Sequence, residues 1–428
     1  MPSIKGWMAL VFFLALAGRM MLLVYFSSVR GIEPLELSPD AIEYEVLANA
    51  LLGGWDWSSG YFAARPPLMP LLFAGVYTVF GPNRVAVAIT NALLGAATAV
   101  LAVTAARKLH LPKSTSILAG VLVAFDPASI VNNINLQAES LANLGLALAV
   151  VALTELLHRQ RLRDAILAGL WVGLATLTRP TTLYLFVFAL PLFVFFIRPW
   201  PTRYLAFAAI PALVFAGWSL RNQRFIGTFT YSTVSDFNML FYRAVSVEHW
   251  ATHTSDDAVR RNFALEVERR LGNDVAASEI DSGFFWRNFS PADGRRIPIM
   301  RSMALETFAR HPSWYFALIP PGLYRMYAYT SQYGTPFWPE LLYNAVLYLL
   351  AALGVARSIR IRWLPLASIT MMVIGYVTVA TLVSQTTGMD TRMRTSMTVS
   401  LALLAAVGVA WGQPLLARTR LRAPCRYL

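Results

Sequence analysis

Residues 7–29 read WMALVFFLALAGRMMLLVYFSSV, and a short way on residues 37–44 read LSPDAIEY. Twenty-three helical residues rise about 34 Å, enough to cross the ~30 Å hydrocarbon core of a bilayer. The run carries one charge, Arg19, whereas the next segment brings Asp40, Glu43 and Tyr44 together within two turns. The chain therefore enters lipid at once and emerges with an acid-rich turn. The run is too long for a signal-peptide core and lacks a small-x-small cleavage site, so it is expected to stay as an anchor.

The whole chain repeats that pattern. Of 428 residues 57% are hydrophobic and only 14% charged, well under the quarter of charged residues usual in soluble domains. Apolar runs at 7–29, 85–106, 116–131, 141–157, 165–177, 182–197, 204–220, 339–356, 364–383 and 397–412 predict an all-α polytopic membrane protein of about ten spans. The net charge of +13 is cut up by these runs and forms no continuous basic face, which disfavours nucleic acid as a partner. Instead the basic residues fall on alternate connections: Arg107, Lys108 and Lys113, then Arg159, Arg161 and Arg163, then Arg198 and Arg203, then Arg357, Arg360 and Arg362, and last Arg418, Arg420 and Arg422. The positive-inside rule then puts both termini in the cytoplasm and the acid-rich turn outside. The one cysteine, Cys425, excludes an intrachain disulfide.

Two stretches are expected to leave the membrane on the outer side. Residues 30–84 join the acidic turn to Gly53-Gly54-Trp55-Asp56-Trp57 and to an apolar helix over 67–80, too short to span and placed in the interface. Residues 221–336 carry a charged helical pattern over 256–271 and a capping sequence at 290–293, as expected for a small helical cap. The division is a catalytic transmembrane module at 1–220, a cap at 221–336, and C-terminal spans with a basic tail at 337–428.

Ionisable groups at membrane depth are costly and therefore mark function. Asp40 and Glu43 share one side of a helix that Pro39 would open. Arg65 is followed by two prolines that fix its backbone. Asp126 and Glu139 flank a stretch with no basic residue, and Glu139 there should meet a cation, a substrate or, together with Asp126, a divalent metal ion. Arg179 and Arg221 sit at the same outer level as Arg65, and three guanidiniums could converge on one phosphate, which they bind in bidentate fashion. Arg392 and Arg394 add a further outer pair, while Arg19 is expected in a structural ion pair. His249 and His253, four apart, lack an evident third ligand for zinc. No Gly-x4-Gly-Lys-Ser/Thr loop, Gly-x-Gly-x-x-Gly fingerprint or Asp-x-Asp pair occurs, which disfavours ATP and a nucleotide-sugar donor.

Taken in order, Ser-Pro-Asp40-x-x-Glu43-Tyr44, Gly53-Gly54, Arg65-Pro66-Pro67, Glu139, Thr178-Arg179-Pro180-Thr181, Trp218-x-x-Arg221-Asn222-x4-Gly227 and Arg392-x-Arg394 resemble the multi-span GT-C glycosyltransferases. The group most similar is the bacterial relatives of protein O-mannosyltransferases and of the lipid A aminoarabinose transferase. The resemblance implies a GT-C bundle with juxtamembrane helices in the first outer loop, in a bacterial inner membrane with its site facing outward. It implies a polyprenyl-phosphate sugar as donor and a glycan, lipid or protein as acceptor, with Asp40 as the catalytic carboxylate and Arg65 at the carrier phosphate. Where many members carry adjacent acids, Ala41 follows Asp40 here, which leaves Glu43 and Glu139 as alternatives for a second carboxylate. Tyr44, Arg179, Arg221, Arg392 and Arg394 complete the expected substrate-binding set.

The residue types suit that chemistry. A sugar phosphodiester leaves as a weakly basic phosphate that arginines can stabilise, while the acceptor hydroxyl needs a base. Two other classes share the arginines: a transporter or flippase of a lipid-linked sugar, and a polysaccharide polymerase or ligase. Transporters place polar groups near the midplane and often repeat their halves; here no repeat is found and the groups gather at one face.

Overall fold

The structure, a computed structural model, describes residues 3–29, 31, 40–280, 289, 294–328, 338–361, 363–384 and 391–410, and among these the regular elements are all helical. Pro39, the capping sequence at 290–293, Asp390, Arg362, Arg418, Arg420, Arg422 and Cys425 lie outside the described residues.

Among the described residues six helices are long and apolar enough to cross a bilayer: Ile4–Val29, Arg84–Lys108, Glu139–Arg159, Trp200–Ile226, Trp338–Arg360 and Leu364–Ser384. A seventh span forms if Lys113–Ala124 and Pro127–Ile134, bent by 52°, are taken together. The expected ten spans are therefore six or seven, and proline explains much of the difference. Helix Leu162–Thr178 stops two residues before Pro180. The apolar stretch after it breaks into Pro180–Thr182, Leu185–Phe188 and Leu190–Phe196, the last with Pro191 in its first turn. Near the C-terminal end a 3-10 turn, Met393–Met397, precedes the short helix Thr398–Val409. These pieces still pack into the bundle, Leu162–Thr178 between Glu139–Arg159 and Trp200–Ile226, and Thr398–Val409 against Trp338–Arg360.

Small side chains let the helices approach closely, as expected where lipid removes the hydrophobic drive between helices. Ten of the buried residues of Arg84–Lys108 are alanine, glycine, threonine or asparagine. A Cβ at Gly169 would collide with the carbonyl of Phe207, and one at Gly354 with that of Leu404. The lipid-facing side carries exposed Phe13, Met21, Leu213 and Leu349.

The Glu139–Arg159 helix, 21 residues and so about 31 Å long, separates two ends of different character. At its Arg159 end Glu155 pairs with Lys108 and with Arg159, and Arg203 and Arg198 hold Gln160. At its Glu139 end lie the first loop and the cap. Helix Asp40–Leu52 packs on Leu68–Phe80, tied by Arg84 and Tyr77 to Glu45 at 2.9 and 2.6 Å. Leu68–Phe80 has the short length expected of an interfacial helix.

Between Arg221 and residue 328 the chain builds a separate apolar core, with Phe241, Phe263, Val267, Met300 and Phe289 at its centre. Helix Asp256–Arg270 is capped by Ser255 and joined to Arg296–Arg310 through Arg296 and Glu268 at 2.8 Å. His249 lies against Thr254 and Asp256 in this region.

Candidate active site

Two arginines owe their placement to the residue after them. A residue before proline is pushed out of the helical region; Arg65, before Pro66, has φ −111° and ψ 116°, and Arg179, before Pro180, has φ −146° and ψ 127°. Each ends a helix and projects from its rim. The return segment of the cap holds both turns: Ser232 Oγ donates to the carbonyl of Ala64 at 2.8 Å, Thr233 N to that of Ala63 at 2.9 Å, and the Tyr231 hydroxyl to that of Thr176 at 2.7 Å.

Three carboxylates meet these arginines. Arg65 Nη2 donates to Asp40 Oδ1 at 2.8 Å and its Nε to Glu43 Oε2 at 2.5 Å, while its guanidinium lies 5.5 Å from the centre of the Tyr44 ring. Arg179 pairs with Glu139 at 3.0 Å. Arg392, entering from the turn before the last helix, stands 3.5 Å from both Asp40 Oδ2 and Glu139 Oε1. Asp40 and Glu43 occupy the first turn of their helix and Glu139 opens another, ends where the macrodipole favours negative charge.

The cluster forms one pole of a cavity of about 550 Å³. Asp40, Tyr44, Arg65, Glu139, Arg179 and Arg392 line that pole. Val187, Phe188, Val379, Val383 and Met393 line an apolar wall, and Asp236, Asn238 and Tyr242 enter from the cap. Burial by itself would raise the proton affinity of Asp40, but Arg65, Arg392 and Arg179 outweigh it and hold the carboxyl below its ordinary value. Desolvation would lower Arg65, yet Asp40 and Glu43 keep its affinity well above normal. Burial, with Asp40 and Glu139 nearby, pushes the Tyr44 phenol up to about 12.

Two expected members lie elsewhere. Arg221 is stacked 5.4, 5.3 and 4.6 Å from the rings of Phe62, Trp218 and Phe225 and donates to the carbonyls of Trp57 and Ser59. It joins the first loop to the cap rather than facing the cavity. Arg394 is fully buried against Asp126 at 2.6 Å, with Ser129 and Thr398 completing the carboxylate's bonds. Its pairing alternates with that of Arg392 because the 3-10 turn sends residues two apart in different directions. Arg19 also departs from expectation: it bonds to Asn133 Oδ1 and to the carbonyls of Ala15 and Ala124, not to a carboxylate.

The donor set does not suit a divalent cation. Asp126 is enclosed with Arg394, and Glu139 with Arg179 and Arg392. Among the described residues no group of three His, Cys, Asp or Glu side chains comes together. Sequence reasoning missed Tyr242, Tyr184 and Tyr376 as cavity residues. No local pattern marks them, since they come from the cap and from helices remote in sequence.

Residues 64–220, which run from the Arg65 turn through the Arg179 turn, match the family described as dolichyl-phosphate-mannose-protein mannosyltransferase. Over that stretch the chain is similar to this family. Its fold is similar to that of solved membrane proteins: the apo oligosaccharyltransferase of Archaeoglobus fulgidus superposes with a TM-score of 0.56 at 14% identity, over 95% of this chain and 50% of that one. The Archaeoglobus fulgidus enzyme AglB in complex with an inhibitory peptide and a dolichol-phosphate gives a TM-score of 0.50 at 14% identity, with the same coverage. ArnT from Cupriavidus metallidurans bound to undecaprenyl phosphate gives 0.43 at 15% identity, over 95% of this chain and 78% of ArnT. The chain spans about half the length of the archaeal oligosaccharyltransferase. No curated protein sequence matches it.

Proposed function

We propose that the chain is a membrane glycosyltransferase that moves a sugar from a polyprenyl-phosphate carrier to a hydroxyl-bearing acceptor on the outer face of a bacterial inner membrane, in a single displacement that inverts the anomeric carbon. One observation carries the reading: a cavity of about 550 Å³ joins an arginine and carboxylate pole to an apolar wall, as a ligand with a phosphate head and a hydrocarbon tail requires. The family name supports the same donor class. Both termini are then cytoplasmic, because the Lys108, Arg159, Arg198 and Arg203 end of the bundle is opposite the cavity.

In this mechanism Asp40 accepts the proton of the acceptor hydroxyl as its oxygen attacks the anomeric carbon. The bonding pair of the sugar–phosphate linkage goes to the phosphate, whose growing charge is met by Arg179, Arg392 and Arg65. Glu139 orients Arg179 and Arg392, and Glu43 orients Arg65, which makes Glu139 the carboxylate nearer the reacting groups and Glu43 a support. Tyr44 contributes its ring face to Arg65. The first outer loop and the module at 1–220 supply the chemistry, the cap at 221–336 closes the cavity and selects the acceptor, and the spans at 337–428 bring Arg392.

The test is sugar transfer by the purified protein in detergent, from a labelled polyprenyl-phosphate sugar to extracted envelope lipids. Wild type should form covalent product, and Asp40→Asn should lower the rate by about 10²–10⁴. A folded Asp40→Asn protein with the wild-type rate would remove Asp40 as the base, and lipid movement without product would favour a transporter.

A further inference from the structure

The turns that carry Arg65 and Arg179 leave backbone carbonyls without a helical donor. In an α-helix the carbonyl of one residue accepts from the N–H four residues on. For Thr176 that residue is Pro180, and for Ala63 it is Pro67; proline has no N–H to give. Ala64, the last residue of its short helix, is among the carbonyls that every helix end leaves over. Buried carbonyls of this kind must find donors elsewhere.

Three consecutive residues of the cap supply them. The Tyr231 hydroxyl donates to the carbonyl of Thr176 at 2.7 Å, Ser232 Oγ to that of Ala64 at 2.8 Å and Thr233 N to that of Ala63 at 2.9 Å. All three residues are buried. Asn222 fixes their segment to the Trp200–Ile226 helix: its Nδ2 donates to the carbonyls of Thr230 and Tyr231 at 2.8 and 3.1 Å, and its Oδ1 accepts from Arg221 at 2.9 Å. The prolines that aim the two arginines thus create the acceptors by which one stretch of chain grips both turns.

We propose that Tyr231 and Ser232 are positioning residues for the donor phosphate, setting the spacing of Arg65 and Arg179 so that both guanidiniums meet one phosphate. The inference rests on the reading of the donor as a polyprenyl-phosphate sugar. Tyr231 acts through Arg179, three residues beyond Thr176, and Ser232 through Arg65, next to Ala64. Guanidinium binding of phosphate depends on direction, and a displacement of about 1 Å is enough to cost a large factor. The same stretch continues into the cavity wall. Ser232 Oγ accepts from Val234 N at 3.3 Å, where the Val234–Asn238 helix begins that brings Asp236 and Asn238 to the cavity. The cap is therefore part of the arginine framework, and Arg221, away from the cavity, serves it by holding Asn222.

The experiment measures the affinity of the full-length protein in detergent for undecaprenyl phosphate by native mass spectrometry, with melting temperature as the check on folding. Tyr231→Phe, which removes one hydroxyl, should weaken binding about fivefold. In an Arg179→Gln background the same change should alter affinity by less than about twofold, while in Arg65→Gln it should keep its full effect. Ser232→Ala should show the mirror image, silent with Arg65→Gln and active with Arg179→Gln, and it carries the test alone if Tyr231→Phe does not fold. Losses of equal size in both arginine backgrounds mark a role in the fold only and overturn the proposal. Folded Tyr231→Phe and Ser232→Ala proteins with wild-type affinity overturn it too, and both results leave the donor reading standing. A wild-type protein that does not bind undecaprenyl phosphate overturns the donor reading and the proposal with it.

Discussion

Arg392 and Arg394 stand two residues apart and do different work: one is shared by two cavity carboxylates, the other is enclosed with Asp126 at no solvent exposure. Residue type gave no way to tell them apart; the direction of a 3-10 turn did. Removing one member of the enclosed pair leaves a charge uncompensated in the bundle, so Asp126→Leu and Arg394→Met should each cost about 3–5 kcal/mol in thermal or denaturant unfolding, and the double variant should recover most of it. At Asp40 the consequence is a pH profile. Its carboxyl is held below the ordinary carboxylate range by Arg65, Arg392 and Arg179 against the opposing effect of burial, so the free enzyme keeps it ionised through that range and kcat/KM should stay level there, falling only at more acid pH. The same depression contributes stability above the unfolded value that is lost as pH falls through the folded one.

At the level of elements, proline and glycine decide how the bundle is cut and how tightly it closes. Pro66 and Pro180 end helices and aim arginines, features plain in the sequence once each proline is read for its effect on the residue before it. Pro191 also falls where the run 182–197, continuous by hydropathy alone, is divided into Leu185–Phe188 and Leu190–Phe196. Hydropathy reports apolarity, and a chain packed inside a bundle can be apolar without crossing it. Gly169 sets the distance between Leu162–Thr178 and Trp200–Ile226, because a side chain there meets the carbonyl of Phe207. Gly169→Val should cost about 1–3 kcal/mol or prevent folding, read as melting temperature and detergent-extracted yield. Gly217→Ala, on the partner helix and facing open space, should be neutral or slightly stabilising.

Over the whole molecule, the two ends of the Glu139–Arg159 helix separate a basic face from the cavity. In a Cys425→Ala background, Thr228→Cys should react with an impermeant thiol reagent added outside spheroplasts, and Arg161→Cys only after permeabilisation; the reverse pattern would invert the topology. The membrane class, the sidedness of charge and the grouping of Asp40, Tyr44, Arg65, Glu139 and Arg179 were legible because each depends on local composition or on order along the chain. Hydropathy reports the solvent of a segment, and a proline fixes the residue before it, whatever else the protein does. Contacts between segments far apart in sequence are different. That Arg221 clamps the first loop to the cap, that Arg394 seals Asp126, and that Tyr242 reaches a cavity opened by Asp40 depend on how helices cross and turn. Guanidinium groups bind carboxylates, carbonyls and ring faces alike, so the sequence by itself determined which charges lie at the same end of the bundle, and only the tertiary structure decided which of them meet.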